Sequence, residues 1–259
     1  MELTGTALVT GGGSGIGLAC ATRLAADGAA VTLMGRSAER LRSGRDQLLV
    51  DVPAARVTIA EGDVADETAV EAAVRVASAA GPLHHVVAAA GVGAGGPVTD
   101  LAVETWDHVL GVNLTGAMLT VKQAARAMVA HGEGGSIVAI SSIAGLLTHR
   151  LMTAYCVSKA GLEMLVRNSA DELGAHGIRV NAVRPGLVPT EIADGLVRND
   201  GIVADYLDQM PLARLGTTGD VAEGVRYLLG PESGWVTGQI LAIDGGHTLR
   251  RGPDLLAGA

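Results

Sequence analysis

Short apolar runs with no polar interruption alternate along this chain with longer segments of helical period, and that alternation limits the fold more than any other feature. AVTLMG at Ala30–Gly35 and HHVVAAAG at 84–91 are typical of the runs. A strand that is apolar at nearly every position has both faces covered, as in a parallel sheet with helices on either side. The sequence predicts strands at Thr6–Thr10, Ala30–Gly35, Val57–Glu61, 85–89, 136–141, 179–183 and 239–243. It predicts helices at 16–27, 38–49, 67–80, 104–130, 153–174 and Thr218–Leu229. Repeated βα units require right-handed crossovers, so the expected fold is α/β: a Rossmann-type, doubly wound, seven-stranded parallel sheet with helices on both faces.

No linker rich in Pro, Gly or Ser and no charge block divides residues 1–259, and one domain is expected. The longest stretch without an assignment runs from Gly186 to Pro211. It follows the carboxyl end of a strand, where open α/β sheets bind ligands. A connection of that length is usually functional, so 187–211 is read as a substrate lid with some helix of its own.

Composition narrows the partners. Hydrophobic residues make up 48% of the chain, yet there is no Phe and only two Trp and three Tyr, so the core is aliphatic. Few aromatics and a formal charge of −8 exclude a base-stacking, polyanion-binding surface, and no nucleic acid is expected. Cys20 and Cys156 lie far apart and form no metal-like cluster; reduced thiols and no metal are expected. The first strand begins within six residues of Met1, leaving no room for a signal peptide. No uncharged apolar run approaches the about 18 residues of a membrane span. A soluble cytoplasmic protein is the expectation.

Between the first strand and first helix lies TGGGSGIG, Thr10 to Gly17, with five glycines in eight residues. Strand, glycine loop and helix aim free N–H groups and a helix N-terminus at an anion. A plain connection would need fewer glycines, since each costs conformational entropy on ordering. The pattern is Gly11-x-x-x-Gly15-x-Gly17 after Thr10, not G-x-G-x-x-G. Later stretches add Asp63-Val64, Ala88-Ala89-Ala90-Gly91, Asn113 in GVNLTG, Ser142 ending VAISS, Tyr155 and Lys159 in Y-x-x-x-K, and Pro185-Gly186 opening PGLVPT. Ser142 and Tyr155 are thirteen positions apart.

In these motifs and their order, over nearly its whole length, the chain resembles the classical short-chain dehydrogenase/reductase family. The resemblance implies a nicotinamide cofactor held by Gly11, Gly13, Ser14, Gly15, Ile16 and Gly17 at the diphosphate. It places Asp63 and Val64 at the adenine, Ala90 and Gly91 beside the cofactor, and Pro185, Gly186, Val188 and Thr190 at the carboxamide. It implies a catalytic set of Asn113, Ser142, Tyr155 and Lys159, with Tyr155 and Lys159 also touching the cofactor. Ala88 and Ala89 stand where the family usually has asparagines, which removes side-chain bonds that normally tie this strand to its neighbours. The second strand ends Met34-Gly35-Arg36, with Gly35 at the position that is acidic in NAD-preferring members. A guanidinium can bind a 2′-phosphate through two hydrogen bonds, so Arg36 favours NADP, with NAD as the alternative. Ser14, where many NADP-using members carry Lys or Arg, points the other way. A homotetramer is the family's usual assembly.

Tyr155 and Lys159 are four apart on a predicted helix and share a face. A phenol of ordinary pKa near 10 is an awkward acid at neutral pH; lowering it two to three units takes about 3–4 kcal/mol. An ammonium at close range in a site of reduced dielectric can supply that, helped by the positive ring of an oxidised nicotinamide, and the expectation is that Lys159 does. Ser142 would hold the substrate oxygen, and Asn113 would anchor a water leading from Lys159 to solvent. The implied function is hydride transfer between nicotinamide and a ketone or secondary alcohol, as a 3-oxoacyl-thioester reductase or a general carbonyl reductase. The alternative is a non-catalytic NAD(P)-binding sensor or scaffold, which would have no need of the proton-transfer set.

The lid's Leu, Ile, Val and Met residues favour an apolar ketone over a sugar. Its acids Glu191, Asp194, Asp200, Asp205 and Asp208, if inward, disfavour a polyphosphate carrier. His84 and His85 open the fourth strand at its amino end and read as packing or surface residues. Cys156 has no partner positioned to activate it. Arg250 and Arg251 follow the last strand, as a solvated basic turn or a contact to an anionic substrate.

Overall fold

The strands are β1 (Thr6–Thr10), β2 (Ala30–Gly35), β3 (Val57–Glu61), β4 (Leu83–Ala88), β5 (Gly135–Ile140), β6 (Ile178–Pro185) and β7 (Ile240–Ile243). In this computed structural model, which describes residues 3–249, they form one parallel sheet ordered β3-β2-β1-β4-β5-β6-β7. Arg250 and Arg251 lie outside the described residues. The order reverses between β1 and β4, and that switch point opens a crevice at the carboxyl ends of the strands.

Alternation along β1 shows how the sheet is covered. Leu8 faces one core, with Val70 and Val74 of α3 (Glu67–Ser78), Leu119 and Met128 of α5 (Gly116–His131) and Leu162 and Val166 of α6 (Thr153–Leu173). Ala7 and Val9 face the other, with Leu24 of α1 (Gly15–Ala26), Leu41 and Leu48 of α2 (Ala38–Asp51) and Val225 and Leu228 of α9 (Thr218–Leu229). Lacking Phe, the interior is filled by small and branched side chains, each fully buried Leu contributing about 1.5–3 kcal/mol. Such chains let helices approach the sheet closely: a Cβ at Gly224 of α9 would collide with Ile243 Cδ1 of β7.

The helix expected over 104–130 is interrupted. α4 (Val103–Leu110) passes through a π turn at Gly111–Thr115 before α5 begins. Gly116 N–H bonds Gly111 O, five residues back, and Asn113 sits inside the widened turn. A Cβ at Gly116 would approach within 2.7 Å of Val64 Cγ2, so only glycine lets this turn seat against the loop after β3. π turns of this kind gather at functional positions. α5 ends as its sequence suggests, at Gly132 in the left-handed region with φ 75°.

The segment after β6 contains helix, as expected: a 3-10 turn at Glu191–Ala193, α7 (Asp194–Val197) and α8 (Asp200–Gln209). Among the described residues, no helix is long and apolar enough to cross a membrane.

Candidate active site

Thr10 ends β1 at the switch point. Its Oγ1 accepts from Ala89 N at 3.2 Å and from Ala90 N at 3.4 Å. The tie between β1 and β4 that Ala88 and Ala89 cannot make is thus supplied from the opposite strand. Gly11, with φ +66°, lies so close to β4 that a Cβ would come within 2.8 Å of Ala90 N. A Cβ at Gly17 would strike Gly11 O. Gly15 (φ +54°) opens α1, and Ser14 makes no side-chain cap bond. The first-turn N–H groups of α1 therefore face the crevice with no side-chain acceptor, an arrangement that fits a diphosphate.

The crevice widens into a cavity of about 260 Å³. Gly11, Ser14, Gly15, Ile16 and Gly17 line one end; Ser142, Tyr155, Lys159, Ala90 and Gly91 line the middle; Pro185, Gly186, Val188 and Thr190 complete the wall. Most residues singled out in the sequence converge here. Five do not line the cavity. Gly13 packs against α2, where a Cβ at Gly44 would lie 2.8 Å from Gly13 O. Val64 is buried against α5, and Asp63 accepts from Ala65 N at 2.9 Å in the turn after β3. Arg36 is exposed at the end of β2, without a side-chain partner among the described residues. Asn113 sits behind the cavity. Its Oδ1 accepts from Val92 N at 2.8 Å, and its Nδ2 donates to Val92 O and Ser158 Oγ, both at 3.0 Å. Ser158 Oγ in turn donates to Tyr155 O at 2.7 Å, linking the π turn to α6.

Tyr155 and Lys159 share a face of α6 as their spacing requires, with Nζ 5.6 Å from the Tyr155 ring centre. Lys159 is buried and donates to Ile140 O at 2.8 Å. An ammonium has three donor positions, so two remain for a ligand such as the hydroxyls of a ribose. The electrostatics differ from expectation. Burial is the largest influence on Tyr155 and pushes its phenol up, against a smaller downward effect of its hydrogen bond with Ser142. Burial also pushes Lys159 down to about 8. In the protein alone desolvation outweighs charge pairing, because the amine is directed at a backbone carbonyl and not at the phenol oxygen.

Two features escaped the sequence reading. Glu163, one helical turn beyond Lys159, is buried against Arg184 of β6 at 2.9 and 2.6 Å and accepts from Ser141 Oγ at 2.9 Å. This fixes the segment carrying Ser142 against both β6 and α6. The i, i+4, i+8 spacing of Tyr155, Lys159 and Glu163 was the available signal. Arg40 of α2 also lines the cavity and pairs with Glu191 at 2.5 Å, joining α2 to the segment after β6. Nothing local in the sequence foretells that pair.

Fold and site together define a dinucleotide-binding oxidoreductase. Residues 11–248 match a family model described as enoyl-(acyl carrier protein) reductase. The chain is 36% identical over 245 residues to a galactitol 2-dehydrogenase (L-tagatose-forming) of Cereibacter sphaeroides, covering 94% of each. It is 38% identical over 249 residues to a (3R)-3-hydroxyacyl-CoA dehydrogenase of Rattus norvegicus, covering 93% of this chain and 95% of the relative. A solved short-chain type dehydrogenase/reductase from Mycobacterium ulcerans superposes with a TM-score of 0.92 at 40% identity, over 99% of this chain and 94% of that one. The chain belongs to the short-chain dehydrogenase/reductase family. Its chemistry is NAD(P)-dependent hydride transfer between nicotinamide and a carbonyl or alcohol carbon.

Proposed function

We propose that this chain is a carbonyl reductase that prefers NADP, in which a single domain binds the cofactor and carries the catalytic set. The observation that carries this reading is the convergence of Ser142, Tyr155 and Lys159 on the cavity that begins at the glycine loop. Gly11, Ser14, Gly15, Ile16 and Gly17 would hold the diphosphate, with Gly13 keeping the loop against α2. Asp63 and Val64 would border the adenine, and Arg36, exposed and without a side-chain partner among the described residues, would bind the 2′-phosphate. Pro185, Gly186, Val188 and Thr190 would orient the carboxamide, and Ala90 and Gly91 would leave space for the ribose. When bound, nicotinamide supplies or accepts the hydride.

Proton transfer is left to the protein. Tyr155, kept protonated by burial, donates its phenolic proton to the substrate oxygen during reduction. Ser142 donates a hydrogen bond to the same oxygen, stabilising the charge that develops there. Lys159 holds the ribose hydroxyls and resupplies the proton. Asn113 Oδ1 retains one lone pair after its bond to Val92 N, and a Cβ at Gly91 would lie 3.4 Å from that oxygen and 3.8 Å from Lys159 Nζ. A water between the two would continue the proton path.

Residues 187–211 form the substrate lid. Ile192, Ala193, Leu196 and Tyr206 line the cavity; of the lid's acids Glu191 lines it too, paired with Arg40, whereas Asp194, Asp200, Asp205 and Asp208 are not among its lining residues. The apolar part of the wall supports an apolar ketone over a sugar. Exposed Met118 of α5, Val157 and Met164 of α6, and Leu241 of β7 are surfaces that further copies would cover in a homotetramer. Two free cysteines, Cys20 and Cys156, suit the cytoplasm.

The test follows loss of NADPH absorbance with a panel of ketones of varied size and polarity. Turnover of at least one ketone is expected. Tight cofactor binding with no turnover of any would instead establish a cofactor sensor or scaffold.

A further inference from the structure

Three rings outside the proton-transfer set gather on the substrate side of the cavity. His149 comes from the loop after Ser142 and Tyr206 from the middle of α8; both line the cavity that Tyr155 and Ser142 line. Their ring centres lie 6.2 Å apart, and the ring of His247, in the turn after β7, lies 5.2 Å from Tyr206. His247 is buried and its Nδ1 has no partner among the described residues. Two separate segments thus place polar rings in the wall beside Ile143, Met152, Ile192 and Leu196, with His247 packed against Tyr206 outside the lining.

The hydrogen-bonding state of the two lining residues follows from their surroundings. His149 Nδ1 lies 3.1 Å from Leu147 O, and a carbonyl only accepts, so Nδ1 carries the proton. In that tautomer Nε2 is the ring's acceptor. Burial, together with nearby Tyr155, pushes Tyr206 up to about 12, so its hydroxyl stays a donor, and it has no hydrogen-bond partner among the described residues. The loop bearing His149 is held in place at a cost. Leu151 adopts φ 68°, a left-handed conformation unfavourable for a leucine, and its carbonyl accepts from Gly96 N at 2.7 Å.

His149 Nε2 and Tyr206 Oη, an acceptor and a donor on two residues that line one cavity, complement a hydroxyl, which would donate to the first and accept from the second. A methylene there would leave both protein groups unpaired. A carboxylate has no proton for Nε2. Of the lining cations, Arg40 is paired with Glu191, and the spare donors of Lys159 are assigned to the ribose hydroxyls. The apolar remainder of the wall fits a compact carbon skeleton and not a fully hydroxylated chain.

From this juxtaposition we infer that the enzyme's substrate is a hydroxyketone, or a diol in the reverse direction, whose second oxygen is held between His149 and Tyr206. The inference rests on the carbonyl-reductase reading above and adds the substrate class.

The experiment compares matched ketones, each with and without a hydroxyl placed at increasing distance from the carbonyl. At the best spacing the hydroxylated member should have a kcat/KM at least about tenfold higher. In His149→Leu and in Tyr206→Phe that ratio should fall towards one, with NADPH affinity measured on the same samples to show that the fold is intact. Equal turnover of both members by the wild type overturns the subsite but leaves the reductase reading standing. So does a ratio unchanged in both variants, or a preference for carboxylated ketones. No turnover of any pair would overturn both.

Discussion

The two ends of the sheet hold buried ionisable groups that differ in what their unused hydrogen-bonding atoms face. Nδ1 of His84 and of His85 is closed in without a partner among the described residues, while the spare donors of Lys159 lie beside a cavity. At the amino ends of the strands, the His84 ring lies 6.1 Å from that of His85 and 5.5 Å from that of His131. His85 Nε2 donates to Thr4 O at 3.1 Å. His131 Nε2 donates to Leu83 O at 3.0 Å while its Nδ1 accepts from Glu133 N at 3.2 Å. Burial pushes His85 down to about 4. At the carboxyl ends burial likewise pushes Lys159 down to about 8, but this amine has one protein acceptor and two donor positions to spare beside a cavity. A shifted pKa is common to both ends. Unused hydrogen-bonding capacity facing open space sets the carboxyl end apart, and that combination marks the site.

The comparison can be broken by titrating stability. Each group is a cation acid whose folded pKa is depressed, so the unfolded chain binds more protons between the folded and unfolded values, and stability rises with pH there. For His85 the window runs from about 4 to the ordinary histidine value of 6.5, with its contribution fully present above it and lost as pH falls. For Lys159 it runs from about 8 to 10.5. Each window is worth about 3 kcal/mol at most. Denaturant unfolding across pH should show two separate rises. His85→Leu should remove the acidic one and Lys159→Met the alkaline one, and saturating NADPH should alter only the latter. A single slope that survives both substitutions would mean the two ends are not distinct.

A smaller effect sharpens the same contrast. Arg36 is another group with spare capacity at the carboxyl end. Arg36→Ala should weaken NADPH binding by about tenfold, equivalent to about 1.4 kcal/mol, and leave NADH binding within error. Titration of protein fluorescence with each cofactor gives both constants. Equal weakening of the two would remove the NADP preference.

Much of this was legible in the residues. Uniformly apolar strands separated by helical segments gave the layered parallel sheet, because burial on both faces leaves that pattern in the sequence. The Gly11–Gly17 loop and the Tyr155–Lys159 spacing could be read because each lies within one element. The π turn at Gly111–Thr115 was not, since its cause is the docking of Asn113 against Val92 and of Gly116 against Val64, contacts between distant segments. The Glu163–Arg184 and Arg40–Glu191 pairs and the His149–Tyr206–His247 group depend on the same long-range placement. The tuning of Tyr155 was misjudged for a related reason: helical spacing fixes which face Lys159 shares, but Ile140 O decides where its amine points.

The most direct test of the account is ketone reduction by Tyr155→Phe, with cofactor affinity measured on the same preparation. A phenyl ring keeps the packing and removes only the proton donor, so kcat should fall by about a thousandfold while NADPH affinity changes less than about threefold. A variant that retains more than about a tenth of the wild-type kcat would show that the proton reaches the substrate oxygen by another route.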